Sequence, residues 1–282
     1  MERRVDEIGA VLTCFAFRSE YFAELDAMVG TVRAHHPDWP LVIGRGPMAG
    51  FDLPTLEVES PSGKRNWSLP VPLNLDGSVH DWRKIVKMKS WWIARAWHEF
   101  GHLAGAERDG GNRDSGAHNR IIWVDADARL NGPLDIALDP EAEVIAGPWW
   151  SDPKWPGYTT IAGGFLIFQG RPGGVVESIL DEWSQTCVAH IENLPDPPLV
   201  PWLDSDQEVL SIILQNRPST NGDYSLLKLD RQKYLGIVDH DGTRLPGALV
   251  DQWMMARKMK WPEHHGREWP PPEMARRQSA RE

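Results

Sequence analysis

Two rhythms of apolar residues divide the first part of the chain. Residues 8–17 (IGAVLTCFAF) form a near-continuous apolar run, as expected of a strand buried on both faces of a parallel sheet. From 21 to 35 the rhythm changes. Phe22, Leu25, Val29 and Val32 recur at helical spacing, with Ser19 placed to cap the helix. Pro37 and Pro40 end it, and residues 41–44 (LVIG) read as a second, short strand. Strand, helix, strand at this spacing is a βαβ unit, the opening of an α/β sheet. Ligands in such sheets sit beyond the carboxyl ends of the strands. Residues 13–18, with Thr13 and Phe15 among them, are therefore a candidate nucleotide-facing loop.

Periodicity fades over 50–78, which is rich in Pro, Gly, Ser and Asn and predicts a long irregular connection with one strand at 55–58. Between 81 and 100, Trp82, Ile85, Met88, Trp92, Ile93 and Trp97 repeat at three and four, an amphipathic helix that carries Arg83, Lys84, Lys87, Lys89 and Arg95. A polar, glycine-rich loop (107–119) precedes an apolar strand at 120–124, and 130–134 (LNGPL) reads as a turn. Residues 143–148 predict a strand running into a loop, 149–158 (WWSDPKWPGY). A glycine-led strand at 163–168 (GGFLIF) and an amphipathic helix at 175–192 follow. After a Pro-rich connector at 194–201, Ser205 or Asp206 can cap a further helix, and 226–238 contains a last strand. No strand is expected beyond residue 243, and the stretch from 261 is Pro- and charge-rich, expected to be ordered only in part.

Composition narrows the classes. At 282 residues, 41% hydrophobic and 25% charged, the chain can bury a full globular core. A formal net charge of −10 argues against a nucleic-acid backbone as the main partner. Cys14 and Cys187 are too few for a disulfide framework and read as buried thiols in a reducing compartment. The charged start MERRVDE lacks the apolar core of a signal peptide, and no run reaches the length of a membrane span; the expected location is cytoplasmic. Tryptophan is over-represented, 15 against 4 tyrosines, and its face suits sugar rings and bases, although most such residues serve as core.

The chemistry concentrates at Ile121-Ile122-Trp123-Val124, an apolar strand that stops at Asp125-Ala126-Asp127. Two carboxylates two residues apart share a face of a continuing strand. At a strand end they suit a hard divalent cation that keeps positions open for diphosphate oxygens; the plainer alternative is a surface Asp pair at a β-turn. No G-x-G-x-x-G follows the first strand, against a dinucleotide-binding enzyme and against the glycine-rich start of nucleotidyltransferases.

Three stretches, in order, resemble GT-A fold glycosyltransferases: the strand ending in Asp125-Ala126-Asp127, the glycine-led Gly163-Gly164-Phe165-Leu166-Ile167-Phe168, and the acidic Trp202-Leu203-Asp204-Ser205-Asp206-Gln207-Glu208 that opens a helix. The resemblance covers roughly residues 8–245 and implies an α/β fold with a mixed, mostly parallel central sheet and helices on both faces. It implies one domain over 1–258, with a nucleotide-binding half (8–127) and a donor-sugar and acceptor half (128–258), and a C-terminal tail at 259–282. It also implies a uridine- or guanosine-diphosphate sugar as donor, with Mn²⁺ or Mg²⁺ on Asp127 and Asp125. His240, or else His264 or His265, would complete the metal shell. Lys89, and more weakly Lys84, would lie near the diphosphate; Ala126, Gly163 and Gly164 would line the donor. Asp206 and Gln207 would be the catalytic pair, with Asp206 as base or hydroxyl anchor. The acceptor hydroxyl would be recognised by Trp149, Trp150 and Trp155, whose loop lies at the surface, unless these rings pack back onto the protein.

Two rivals have sequence support. The same fold could serve a non-catalytic nucleotide-sugar or carbohydrate-binding protein, against which Asp125, Asp127 and Asp206 all stand. Residues 236–243 (GIVDHDGT) resemble the first motif of haloacid-dehalogenase-type phosphatases, in which the leading Asp is the nucleophile. That motif closes a first strand, and the residues after 243 cannot supply the rest of such a fold, so the phosphatase reading is rejected.

Overall fold

A near-continuous apolar run fits a strand covered on both faces of a sheet, and Val11–Phe17 is buried at every position. The computed structural model describes residues 9–17, 19–48, 54–73, 79–104, 118–134, 142–151, 159–193, 205–217, 223–237 and 248–252. The strands in chain order are β1 (Val11–Phe17), β2 (Leu41–Met48), β3 (Thr55–Ser60), β4 (Gly63–Ser68), β5 (Asn119–Val124) and β6 (Ala128–Leu130). They continue with β7 (Val144–Ser151), β8 (Thr159–Ile161), β9 (Phe165–Gly170), β10 (Ser225–Leu229), β11 (Leu235–Ile237) and β12 (Val250–Gln252). The helices are α1 (Phe22–His35), α2 (Val79–Phe100), α3 (Val175–Glu192), α4 (Asp206–Asn216) and the single turn α5 (Arg231–Tyr234).

Strand β1 lies between β2 and β5, both parallel to it. The nine-stranded sheet runs β10-β7-β9-β5-β1-β2-β3-β4, with β8 paired to β7. Following the pairings, β3, β8 and β9 run against the rest, which is the mixed, mostly parallel sheet that the resemblance implies. Helix α2 lies over one face of β1: Trp92 Nε1 donates to Thr13 Oγ1 at 2.6 Å, and Phe15 meets the Trp92 and Trp123 rings edge-on. The alternate residues Leu12, Cys14 and Ala16 are buried on the opposite face, and α1 brings Leu25, Met28 and Val32 into the core. Helices α3 and α4 extend the α2 layer, with Trp97 Nε1 donating to Glu177 and Trp183 Nε1 to the Asp206 carbonyl.

Among the described residues, five tryptophans serve as core. Trp67, Trp92, Trp97, Trp123 and Trp183 are fully buried, each hiding enough apolar area for roughly 4–6 kcal/mol of gross stabilisation before entropy.

Four expectations are corrected. The irregular 50–78 contains a hairpin, β3–β4, turned by Gly63 at φ 102°. Its second strand is polar and exposed except for Trp67, which pairs with Leu56, so it carries no alternation to read. The chain enters α1 through a 3₁₀ turn, Ser19–Tyr21, so Ser19 does not cap that helix. The expected single strand in 226–238 is instead β10, α5 and β11, because Lys233 and Tyr234 donate their amides to the Asp230 carbonyl and turn the chain. Finally, β12 lies beyond residue 243. It pairs antiparallel with β6 and parallel with β11 in a small second sheet. Three residues are too short to show a period.

Candidate functional site

The end of β5 meets the start of β9: Val124 is paired with Phe165, and Asp125 N donates to the Gly164 carbonyl at 3.0 Å. The Asp125 carbonyl accepts from Ala128 N at 3.0 Å, closing a turn that carries Ala126 and Asp127, both half-buried, at the carboxyl edge of the parallel strands. The Asp125 carboxylate is held on both oxygens. Trp123 Nε1 donates to Oδ1 at 2.7 Å, Lys89 Nζ lies 3.1 Å from the same atom, and Gln252 Nε2 donates to Oδ2 at 2.7 Å.

Lys89 joins the three stretches that the sequence singled out. It projects from α2, its side chain only 10% exposed. Its ammonium donates to the Gly163 carbonyl at 3.0 Å, pairs with Asp125, and lies 3.4 Å from Asp206 Oδ2. The Trp123 ring lies 5.2 Å away. Gln207 locks the same turn from α4, its Oε1 accepting from Gly163 N at 3.3 Å and its Nε2 donating to Glu208.

At the start of α4 the cap is Ser205, in a capping box with Glu208, so Asp206 is not needed to close the helix. Asp206 is buried, and its Oδ2 has no hydrogen-bond partner among the described residues, the 3.4 Å approach of Lys89 being an ion pair only. One ammonium thus serves two carboxylates. Burial works against the Lys89 charge, but Asp125 and then Asp206 outweigh it and hold the ammonium above the ordinary lysine range. The Asp206 carboxyl is raised, first by burial; Lys89 opposes the rise, and Asp125 and Glu208 add to it. The Cys14 thiol is pushed up, first by burial and then by Asp125 and Asp127, with Lys89 opposing.

Other predicted residues lie elsewhere. Thr13 and Phe15 are not in a loop, because β1 continues to Phe17. Thr13 is fully buried, donating to the Val42 carbonyl and accepting from Trp92, and Phe15 is wedged between two Trp rings. Gly163 and Gly164 do make room, but for protein groups. A Cβ on Gly163 would come 3.1 Å from Lys89 Nζ, and one on Gly164 would come 2.6 Å from Gln252 Oε1. Trp149 is in strand β7 opposite Ile161 and not in a loop; Lys228 Nζ lies 4.6 Å from its ring centroid. Lys84 is half-buried on α2. The side chain of Trp150, and Trp155, Asp204, Asp239, His240, His264, His265 and the tail 259–282, lie outside the described residues.

Gln252 is the site residue that sequence reasoning missed. It follows no motif and sits in the short strand β12, opposite Ala128. The one available signal was its polar side chain after the apolar Leu249-Val250.

Among the described residues no helix is long and apolar enough to cross a membrane. No protein-family model and no curated protein matches the chain. Among solved structures it is similar to a glycosyltransferase involved in the glycosylation of the major capsid of PBCV-1, at 14% identity and a TM-score of 0.48, over 89% of this chain and 97% of that one.

Proposed function

We propose that this chain is a GT-A-type glycosyltransferase that moves a sugar from a nucleotide-diphosphate donor to an acceptor hydroxyl with the help of Mn²⁺ or Mg²⁺. The observation that carries the reading is the convergence on Lys89. Asp125, Gly163 and Asp206, from three stretches far apart in sequence, all lie within 3.4 Å of its ammonium, beside the carboxyl end of β5.

The charge balance fits a divalent cation. Lys89 is shared between Asp125 and Asp206, with Glu208 and Asp127 nearby in the same field. Asp127, half-buried on the turn, is the residue that would hold the ion, with Asp125 fixed behind it. When bound, the ion supplies Lewis-acid stabilisation of charge on the leaving diphosphate. Lys89 and Gln207 hold the glycine turn against α4, which keeps the two halves of the site in register. Asp206 is the candidate base or hydroxyl anchor. Its raised affinity for a proton suits general-base work better than that of an ordinary solvated Asp.

A screen of uridine-, guanosine- and thymidine-linked sugars by thermal shift, with and without Mn²⁺, tests the proposal. Mn²⁺-dependent stabilisation by at least one donor, followed by its turnover, is expected. Stabilisation without turnover would instead mark a binding protein on the same fold, and no response to any donor would contradict both.

A further inference from the structure

We propose that Gln252 is the positioning residue of Asp125, so that the donor site is complete only when strand β12 is seated. The inference rests on the donor-site reading above and adds a residue to it.

The terminal torsion of an Asp side chain is broad, and donors on both oxygens hold its carboxylate more narrowly than donors on one. Oδ1 of Asp125 is fixed by Trp123 and Lys89; among the described residues, Gln252 is what fixes Oδ2, at 2.7 Å. The carboxamide orientation follows from chemistry, since only its NH₂ can donate to a carboxylate. Its other end rests on Gly164: a Cβ there would stand 2.6 Å from Oε1 and 3.0 Å from Cδ. Gly164 in turn accepts the Asp125 amide. Gln252, Gly164 and Asp125 thus close a ring in which each fixes the next.

The ring is delivered by a remote piece of chain. Gln252 is 127 residues from Asp125 and is brought in by the β12–β6 ladder, in which Gln252 faces Ala128 and Val250 faces Leu130. Asn131 secures the chain just before β12, further from the site, its amide N donating to Leu249 O and its Nδ2 to Ala248 O. Asp127 is carried on the turn between Asp125 and β6, so a loosened Asp125 also loosens Asp127.

The test has two readouts. The first is the Trp123 indole NH resonance in ¹⁵N-labelled protein, assigned by Trp123→Phe, which reports the hydrogen bond to Asp125 without any ligand. The second is Mn²⁺-dependent binding of UDP and GDP by calorimetry. Gln252→Leu should move the Trp123 indole resonance and weaken Mn²⁺-nucleotide binding by about 10–100-fold, the scale on which loss of outer support weakens a metal site. Gly164→Ala should do the same by displacing the carboxamide, and the double variant should lose no more than the worse single one. Asn131→Ala, which removes a side-chain bond to Ala248 outside β12 and leaves the β6–β12 ladder intact, should lower Tm and leave both readouts in place. An unmoved Trp123 resonance in Gln252→Leu, or an Asn131→Ala variant that mimics it, overturns the positioning role. A moved resonance in a protein whose wild type binds neither nucleotide upholds the positioning role and removes the donor reading instead.

Discussion

Replacing Lys89 by Met keeps the unbranched apolar stem and removes the ammonium. The loss is worked from three contacts: a charged hydrogen bond to the Gly163 carbonyl, the pair with Asp125 and the pair with the buried Asp206. Breaking a buried pair from one side strands the partner charge and costs about 3–5 kcal/mol. For a chain of this size that is a fall in Tm of roughly 6–20 °C. In the wild type the folded pKa of Lys89 lies above its unfolded value. Its contribution is therefore complete below the unfolded lysine range and is lost only as pH rises through the folded value, so it does not titrate between about pH 5 and 9. The variant behaves differently. Asp206, already raised by burial, loses the group that lowers it, and protonation then relieves the stranded charge. Thermal melts in metal-free buffer should show the largest deficit near pH 8 and a smaller one toward pH 5. Adding Asp206→Asn should restore about 2 kcal/mol, because the stranded charge goes with it. A Lys89→Met protein that melts within a degree of the wild type at pH 8, or whose deficit grows toward acid, would refute the charge balance described here.

Three further outcomes follow from the packing. Asp206→Asn should lower turnover by roughly 10²–10⁴-fold if Asp206 is the base. Because its folded pKa is raised, the ionised form is penalised as pH rises above the unfolded value; Asn should melt no lower than the wild type at pH 8, and any gain should vanish below about pH 4. A matching kcat in the two proteins would send the search to Asp204 or Asp239. Trp149→Ala should cost about 2 kcal/mol in chemical denaturation, less than a full core Trp, by losing strand packing and the Lys228 contact; unchanged stability with a raised acceptor KM would return it to the acceptor site. Gly44→Ala should destabilise by about 1–3 kcal/mol, since its Cβ would come 2.6 Å from the Trp92 ring, and an unaltered Tm would refute that packing.

What could be read in advance was set by length and period. Helices α2 and α3 carry four or more turns of apolar repeat, and both fall close to where the sequence puts them. Strand β1 announces itself by a near-continuous apolar run and β5 by the four apolar residues Ile121 to Val124. The three motif stretches were legible one by one, but that they meet on Lys89 is a tertiary fact. Five basic residues ride on α2, and spacing cannot say which one turns inward between two carboxylates. Thr13 and Phe15 were misplaced because an apolar run does not mark where its strand ends; β1 carries on to Phe17. The glycine pair was read as room for a ligand, and the same absence of side chains leaves room for Lys89 and Gln252. Strand β12 was invisible because three residues have no period, yet it supplies the group that fixes Asp125.

The most direct test of the central claim is Mn²⁺-dependent release of nucleoside diphosphate from the sugar donors, measured side by side for the wild type and Asp127→Asn. The account predicts release from at least one donor by the wild type, and a fall of roughly 10²–10³-fold in the variant without loss of fold, the scale expected when charge stabilisation on a leaving group is removed. Full Mn²⁺-dependent activity in Asp127→Asn, or no release by the wild type from any donor, would contradict it.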